Sequence, residues 1–362
     1  MSPCNVASVH VWLIMRVRCC KSIMVKSPTF NALNRAALPL GITLGDPLGI
    51  GPEIVLKLHT QALPRPCVVY GDVGVLRRTA QHLGMAVQIH PLEQLSDMPL
   101  QTMNPNELFV LQSGALLDAH LPIGSVHAAA GQAAYDALNQ AIDDTLSGQL
   151  AGIVTAPLSK EAMHLAGVPF PGHTEILAHR CGDIPVAMVL VNPQLRVILV
   201  TIHLSLAKVP AAITTELELQ TITLAHHVCL QLGLEKPRIA VAGLNPHAGE
   251  SGRFGREEIE IIEPAIQLAQ AQGIEVSGPW PGDTVFFRAR KGEFDMVVAQ
   301  YHDQGLIPIK YMGIDEGVNM TAGLPIVRTS VDHGTAFDIA GQGIAQAESL
   351  RCAFDLAHQL AQ

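Results

Sequence analysis

The sequence predicts an α/β fold: a largely parallel sheet covered by helices, in two α/β lobes or in one large lobe with a smaller partner, with a cleft between them. Three observations carry that prediction. From Pro39 onward, short β-branched runs alternate with longer amphipathic runs, the order that builds βαβ units. At 362 residues the chain exceeds what a typical single core organises. Hydrophobic residues make up 48% of it and charged ones 15%, which is ample material for a core and too little charge for wholesale disorder.

Strands are expected over 40–44, 67–70, 152–155, 196–201, 238–242 and 296–299. Most of them end at a turn rich in Gly, Pro or His. Helices are expected over 53–59, 131–146, 215–232, 256–271 and 345–360, each with apolar residues at roughly 3.6-residue spacing. The most apolar stretch, 186–202, is interrupted by Asn192, Pro193, Gln194 and Arg196. It falls short of the roughly 18 uninterrupted residues of a membrane span and reads as two short strands joined by a turn. The lobes are placed at 39–155 together with about 321–362, and at about 156–320.

A net charge of -9 without a sustained basic stripe excludes a nucleic-acid footprint and points to a small-molecule partner. The seven cysteines are odd in number and lack the two-residue spacing of zinc knuckles and redox motifs, which fits a reducing cytoplasm. Residues 1–38 stand apart as a basic appendage, carrying Arg16, Arg18, Lys21, Lys26 and Arg35 with no Asp or Glu. Their apolar residues precede the charges, the reverse of a secretory signal. A start assigned too early, with Met24 as the true one, explains the segment more simply than an organelle transit peptide.

In open α/β sheets ligands bind beyond the carboxyl ends of strands, so the residues following each strand are the ones to search for chemistry. The first such turn, Gly45-Asp46-Pro47-Leu48-Gly49-Ile50-Gly51-Pro52-Glu53, opens a helix but fails the dinucleotide fingerprint, because Ile54 occupies the third glycine position. A tight strand-to-helix turn explains it at least as well as cofactor contact. His203, His247 and His302 each follow a predicted strand. Three neutral imidazoles leave an open position on a divalent ion, as catalytic sites require, although each one alone is better explained as a hydrogen-bonded loop residue. His173-Thr174-Glu175 follows a rigid Pro-Phe-Pro-Gly approach to a helix start, where Thr174 is suited to capping or to an anion. Lys310, Asn319 and Arg328 supply groups for phosphate or carboxylate, and Arg328 is followed by a crowd of small donors, Thr329-Ser330-Val331-Asp332-His333-Gly334-Thr335.

Together with Gly172-His173-Thr174-Glu175, Gly243-Leu244-Asn245-Pro246-His247-Ala248-Gly249-Glu250 and Tyr301-His302-Asp303-Gln304-Gly305, these strings resemble the 4-hydroxythreonine-4-phosphate dehydrogenase family of vitamin B6 biosynthesis. The resemblance runs from about Pro39 to the C-terminus, with Leu48 a small departure where the family has a smaller residue. It implies a two-lobed fold like that of isocitrate and isopropylmalate dehydrogenases, with the active site in the interlobe cleft at a homodimer interface and NAD or NADP bound without the glycine fingerprint. It implies that His203, His247 and His302 hold one divalent ion (zinc, magnesium or cobalt), and that His173, Thr174, Lys310, Asn319 and Arg328 bind substrate. The implied reaction oxidises 4-phosphooxy-L-threonine to a β-keto acid that loses carbon dioxide. Lys160 and Asp283 are the candidate proton acceptors. The alternatives are a relative acting on a threonate or erythronate phosphate or a carboxylated dihydrodiol, a metal-dependent phosphohydrolase, and a non-catalytic metabolite sensor.

Overall fold

The computed structural model describes residues 35–99, 104–313 and 316–362. The expectations for residues 1–34, including the Met24 start, lie outside the described residues. The strands are β1 (Leu40–Thr43), β2 (Cys67–Gly71), β3 (Gln88–Leu92), β4 (Glu107–Gln112), β5 (Gly152–Thr155), β6 (Ala187–Val191), β7 (Arg196–Leu199), β8 (Ile239–Ala242), β9 (Val276–Trp280), β10 (Met296–Ala299), β11 (Val318–Ala322) and β12 (Arg328–Val331). They form one sheet in the order β3-β4-β2-β1-β5-β12-β11-β6-β7-β10-β8-β9.

Two parallel halves flank a reversal of polarity. From β3 to β12 every pair is parallel, and so are the pairs from β7 to β9. Between the halves, β11 runs antiparallel to both β12 and β6, and β6 antiparallel to β7. The expected pair of strands over 186–202 is β6 and β7. The main core spans most of the sheet, while a second cluster, including Leu190, Val197, Ala240, Val285, Val297, Leu306 and Ile309, fills one face of the β7–β10–β8 half beneath helices Val285–Arg290 and His302–Met312. No helix among the described residues is long and apolar enough to cross a membrane.

The helix expected over 131–146 extends from Ala128 to Leu146, and its first turns lie against the short helix Lys160–Leu165. Gly131 makes that approach possible: a Cβ there would stand 2.1 Å from the carbonyl oxygen of Ala162. Gly131→Ala raises helix propensity by about 1 kcal/mol, yet it collides with backbone that cannot step aside. It is expected to destabilise the fold by about 1–3 kcal/mol net. Urea titration giving a midpoint equal to the parent's would show that the two helices are not in this contact.

Candidate active site

The chemistry gathers on a face of the sheet where its polarity reverses. Side chains alternate along a strand, so Arg328 and Ser330 share a face of β12, and register places Asn319 of β11 beside Ser330 and Thr321 beside Met188 of β6. Arg328, Ser330, Asn319 and Met188 all line a cavity of about 250 Å³, together with Lys160, His173, Thr174, His203, Asp332 and His333.

Arg328 is 3% exposed, and its partners are uncharged: Nη1 donates to Thr321 Oγ1 at 3.1 Å and Nη2 to Thr155 Oγ1 at 2.8 Å. Burial presses its pKa below the ordinary guanidinium range, with the Glu175 carboxylate acting in the opposite direction. Among the described residues its Nε has no hydrogen-bond partner, and neither has Asn319 Oδ1 or His333 Nε2. A buried cation and polar atoms without protein partners around one cavity suit an anionic, hydrogen-bonding ligand.

His173 is the first residue of helix His173–Arg180. It is mostly buried; burial first, then Arg328 and Lys160, push its pKa well below the usual value, which favours the neutral imidazole. Thr174 does not cap that helix: the N-cap is Gly172 and no side-chain cap bond forms, which leaves the hydroxyl to the cavity. Lys160 opens its own helix after Ser159, which caps it by accepting from the Ala162 N–H. Lys310 lies 3.1 Å from Asp332 Oδ2, an ion-pair contact rather than a well-aligned hydrogen bond.

Of the three expected metal ligands, His203 and His302 come together, with ring centroids 5.9 Å apart, and share a cavity of about 280 Å³ with Tyr301 and Asp303. Partial burial, then Lys160 and His302, lower the pKa of His203, with Glu175 opposing, which favours the neutral imidazole a metal needs. His302 Nδ1 pairs with Asp303 Oδ1 at 2.7 Å, a contact that orients the ring and leaves Nε2 for a ligand. His247 lines a different cavity of about 730 Å³, with Asp283, and that cavity also includes Tyr301 and Asp303. Among the described residues of one chain, no three His, Cys, Asp or Glu side chains are close enough to hold an ion. Thus Lys160 stands at the cavity with Arg328, whereas Asp283 stands with His247.

The 45–53 turn is structural: Gly45 has φ of +69°, Asp46 accepts from the Leu48 N–H, and buried Glu53 accepts from Lys57 and the Ala345 N–H. Sequence reasoning overlooked Thr321, and it reached Thr155 only as the first residue of the stretch that follows β5. Only strand register reveals these two hydroxyls as the support of Arg328.

A family model described as pyridoxal phosphate biosynthetic protein PdxA matches residues 62–357. The chain belongs to the PdxA family. Its relatives include a 4-hydroxythreonine-4-phosphate dehydrogenase of Beijerinckia indica, 54% identical over 89% of this chain and 95% of that one. A D-threonate 4-phosphate dehydrogenase of Salmonella typhimurium is 46% identical over 89% and 98%. The crystal structure of 4-hydroxythreonine-4-phosphate dehydrogenase from Klebsiella pneumoniae superimposes with a TM-score of 0.82 at 43% identity, covering 90% of this chain and 98% of the other. This PdxA-family chain is an oxidoreductase, which sets aside the phosphohydrolase and sensor alternatives.

Proposed function

We propose that the chain oxidises the C3 hydroxyl of 4-phosphooxy-L-threonine with NAD or NADP. The product, 2-amino-3-oxo-4-phosphooxybutanoate, then loses carbon dioxide to give 3-amino-2-oxopropyl phosphate. The observation that carries this is Arg328, a buried guanidinium with only hydroxyl partners at a cavity sized for a small phosphorylated acid. Arg328 and Lys310 anchor the anionic ends of the substrate, Thr174 and Asn319 complete the polar contacts, and neutral His173 adds a hydrogen bond without a competing charge. Lys160, at the same cavity, is the better placed of the two candidates to exchange a proton with the reacting hydroxyl once it has lost its own.

The donor set suits a divalent ion, zinc, magnesium or cobalt, held by His203 and His302 with His247 from a second copy of the chain, so that a homodimer shares each site. Asp283, beside His247, reaches the substrate by the same route. Bound there, the ion supplies Lewis acidity toward the reacting hydroxyl, and NAD or NADP the hydride acceptor. The two parallel halves of the sheet correspond to two lobes, cut near 155 and 320, in the isocitrate-dehydrogenase-like manner, and the enzyme works in the cytoplasm.

The 46% identity to a D-threonate 4-phosphate dehydrogenase favours one second reading, in which the C2 amino group is a hydroxyl. Reduced nicotinamide should appear with 4-phosphooxy-L-threonine, cease with a chelator and return with one of the three ions. A kcat/KM higher for D-threonate 4-phosphate would transfer the assignment, and turnover of neither substrate would end it.

A further inference from the structure

The loop carrying His247 is built from a backbone conformation that L-residues avoid. From His247 to Gly252 six consecutive residues have positive φ (54°, 51°, 79°, 44°, 56° and 89°), and only Gly249 and Gly252 are glycines. In this left-handed turn each Cβ crowds the following carbonyl oxygen, so the conformation persists only where its surroundings impose it. Internal bonds such as Glu250 N–H to His247 O and Gly252 N–H to Gly249 O tie the turn to itself, not to the sheet.

The tie to the rest of the molecule is Glu258. It is 1% exposed, and its carboxylate takes the Asn245 backbone N–H at 2.7 Å on Oε1 and Asn245 Nδ2 at 3.0 Å on Oε2. The same Nδ2 also donates to Glu257 Oε2 at 2.7 Å. Among the described residues Glu258 has no ion-pair partner, so these donors, two residues before His247, are what the buried charge is satisfied by. The surroundings are shaped to admit it. A Cβ on Gly249 would stand 2.7 Å from Glu258 Oε2, one on Gly243 3.2 Å from Oε1, and one on Gly255 2.3 Å from Asn245 Nδ2. Glu258 also begins a π turn, Glu258–Ile262, a helix irregularity common where side chains serve a site.

We propose that Glu258 is a positioning residue for His247: clamped on Asn245, its carboxylate fixes the left-handed turn 247–252 and hence the direction in which the imidazole is presented. This depends on His247 being a metal ligand, as proposed above. Glu258→Gln tests it, because the amide sets an N–H donor against one of the two Asn245 donors while keeping size and shape.

The full-length protein, stripped with a chelator, is titrated with Co²⁺ and followed by its visible absorption, with the metal-free Tm recorded for each variant. Glu258→Gln is expected to weaken Co²⁺ binding by about 10–100-fold, the scale of losing a group that orients a ligand, and to alter the band pattern. Tyr70→Phe, which loses the 2.7 Å hydrogen bond to Asp144 in the other half of the sheet, should keep the parental affinity and spectrum despite its lower Tm. Parental affinity in Glu258→Gln alongside weakened binding in His247→Ala would overturn the positioning role alone. Parental affinity in His247→Ala would instead remove His247 from the metal site, and this role with it. If Glu258→Gln does not fold, Asn245→Ala is read the same way: weakened binding with altered bands supports the clamp, and parental binding refutes it.

Discussion

Replacing Arg328 by methionine is expected to weaken substrate binding by about two orders of magnitude and, in the same protein, to raise the stability of the ligand-free fold. The two effects have one cause. In the free protein the guanidinium is buried among the Thr321 and Thr155 hydroxyls with Nε unpartnered, and it remains charged because an arginine does not give up its proton in a folded protein. Methionine fills a comparable volume without that uncompensated charge, and exchanges of this kind stabilise by about 1–4 kcal/mol. The bound state loses instead. A hydrogen-bonded charge contact contributes up to about 3 kcal/mol, so kcat/KM should fall roughly 100-fold. Arg328→Lys should not restore it, since a point charge cannot reach both threonines and an anion at once. Thermal melts with and without inorganic phosphate separate the contributions: the parent should be stabilised by phosphate, and Arg328→Met should melt higher without it and show no shift with it. A methionine variant with the parental phosphate shift and kinetics would remove Arg328 from the site.

The strands that carry this site are those the sequence concealed. Strands signalled by Val and Ile, such as β5 and β10, are fully buried and stand at their expected bounds. β11 (Val-Asn-Met-Thr-Ala) and β12 (Arg-Thr-Ser-Val) escaped notice because five of their nine residues are polar, yet Thr321, Arg328, Thr329 and Ser330 are buried in the fold. Helix His302–Met312 was concealed by Gly305 and Pro308, which read as breakers although tertiary packing overrides them. The rule that ligands lie beyond strand ends located Lys160 after β5 and His203 after β7. It had no purchase on Asn319 and Arg328, which lie within strands. Histidine spacings of 44 and 55 residues carry no geometry, so the pairing of His203 with His302, and the separation of His247 from them, became visible only in the fold.

Glu218 was equally concealed, and it makes the sharpest stability prediction. In sequence it looks like an ordinary acidic residue in the first turn of a helix. In the fold it lies on the buried stripe 218, 221, 222, 225, 228 and 229 of helix Thr215–Gln231, fully inaccessible. Among the described residues neither carboxyl oxygen has a well-formed hydrogen bond; burial pushes the pKa up to about 8, with Gln300 acting in the opposite direction. The folded protein therefore keeps a proton that the unfolded chain releases near 4.5. Between these values the native state binds more protons than the unfolded one, so the contribution of this group to stability falls as pH rises, the reverse of a salt-bridged carboxylate. At about 1.4 kcal/mol per unit, the penalty reaches roughly 3 kcal/mol at pH 7 and levels off above pH 8. Glu218→Gln keeps the shape and carries no proton to lose. The difference in Tm between this variant and the parent should be small at pH 5 and grow steadily toward pH 8.5, and taking the difference cancels the histidines that titrate in the same window. A difference that stays constant from pH 5 to pH 8.5 would mean that Glu218 ionises in the fold as it does in water.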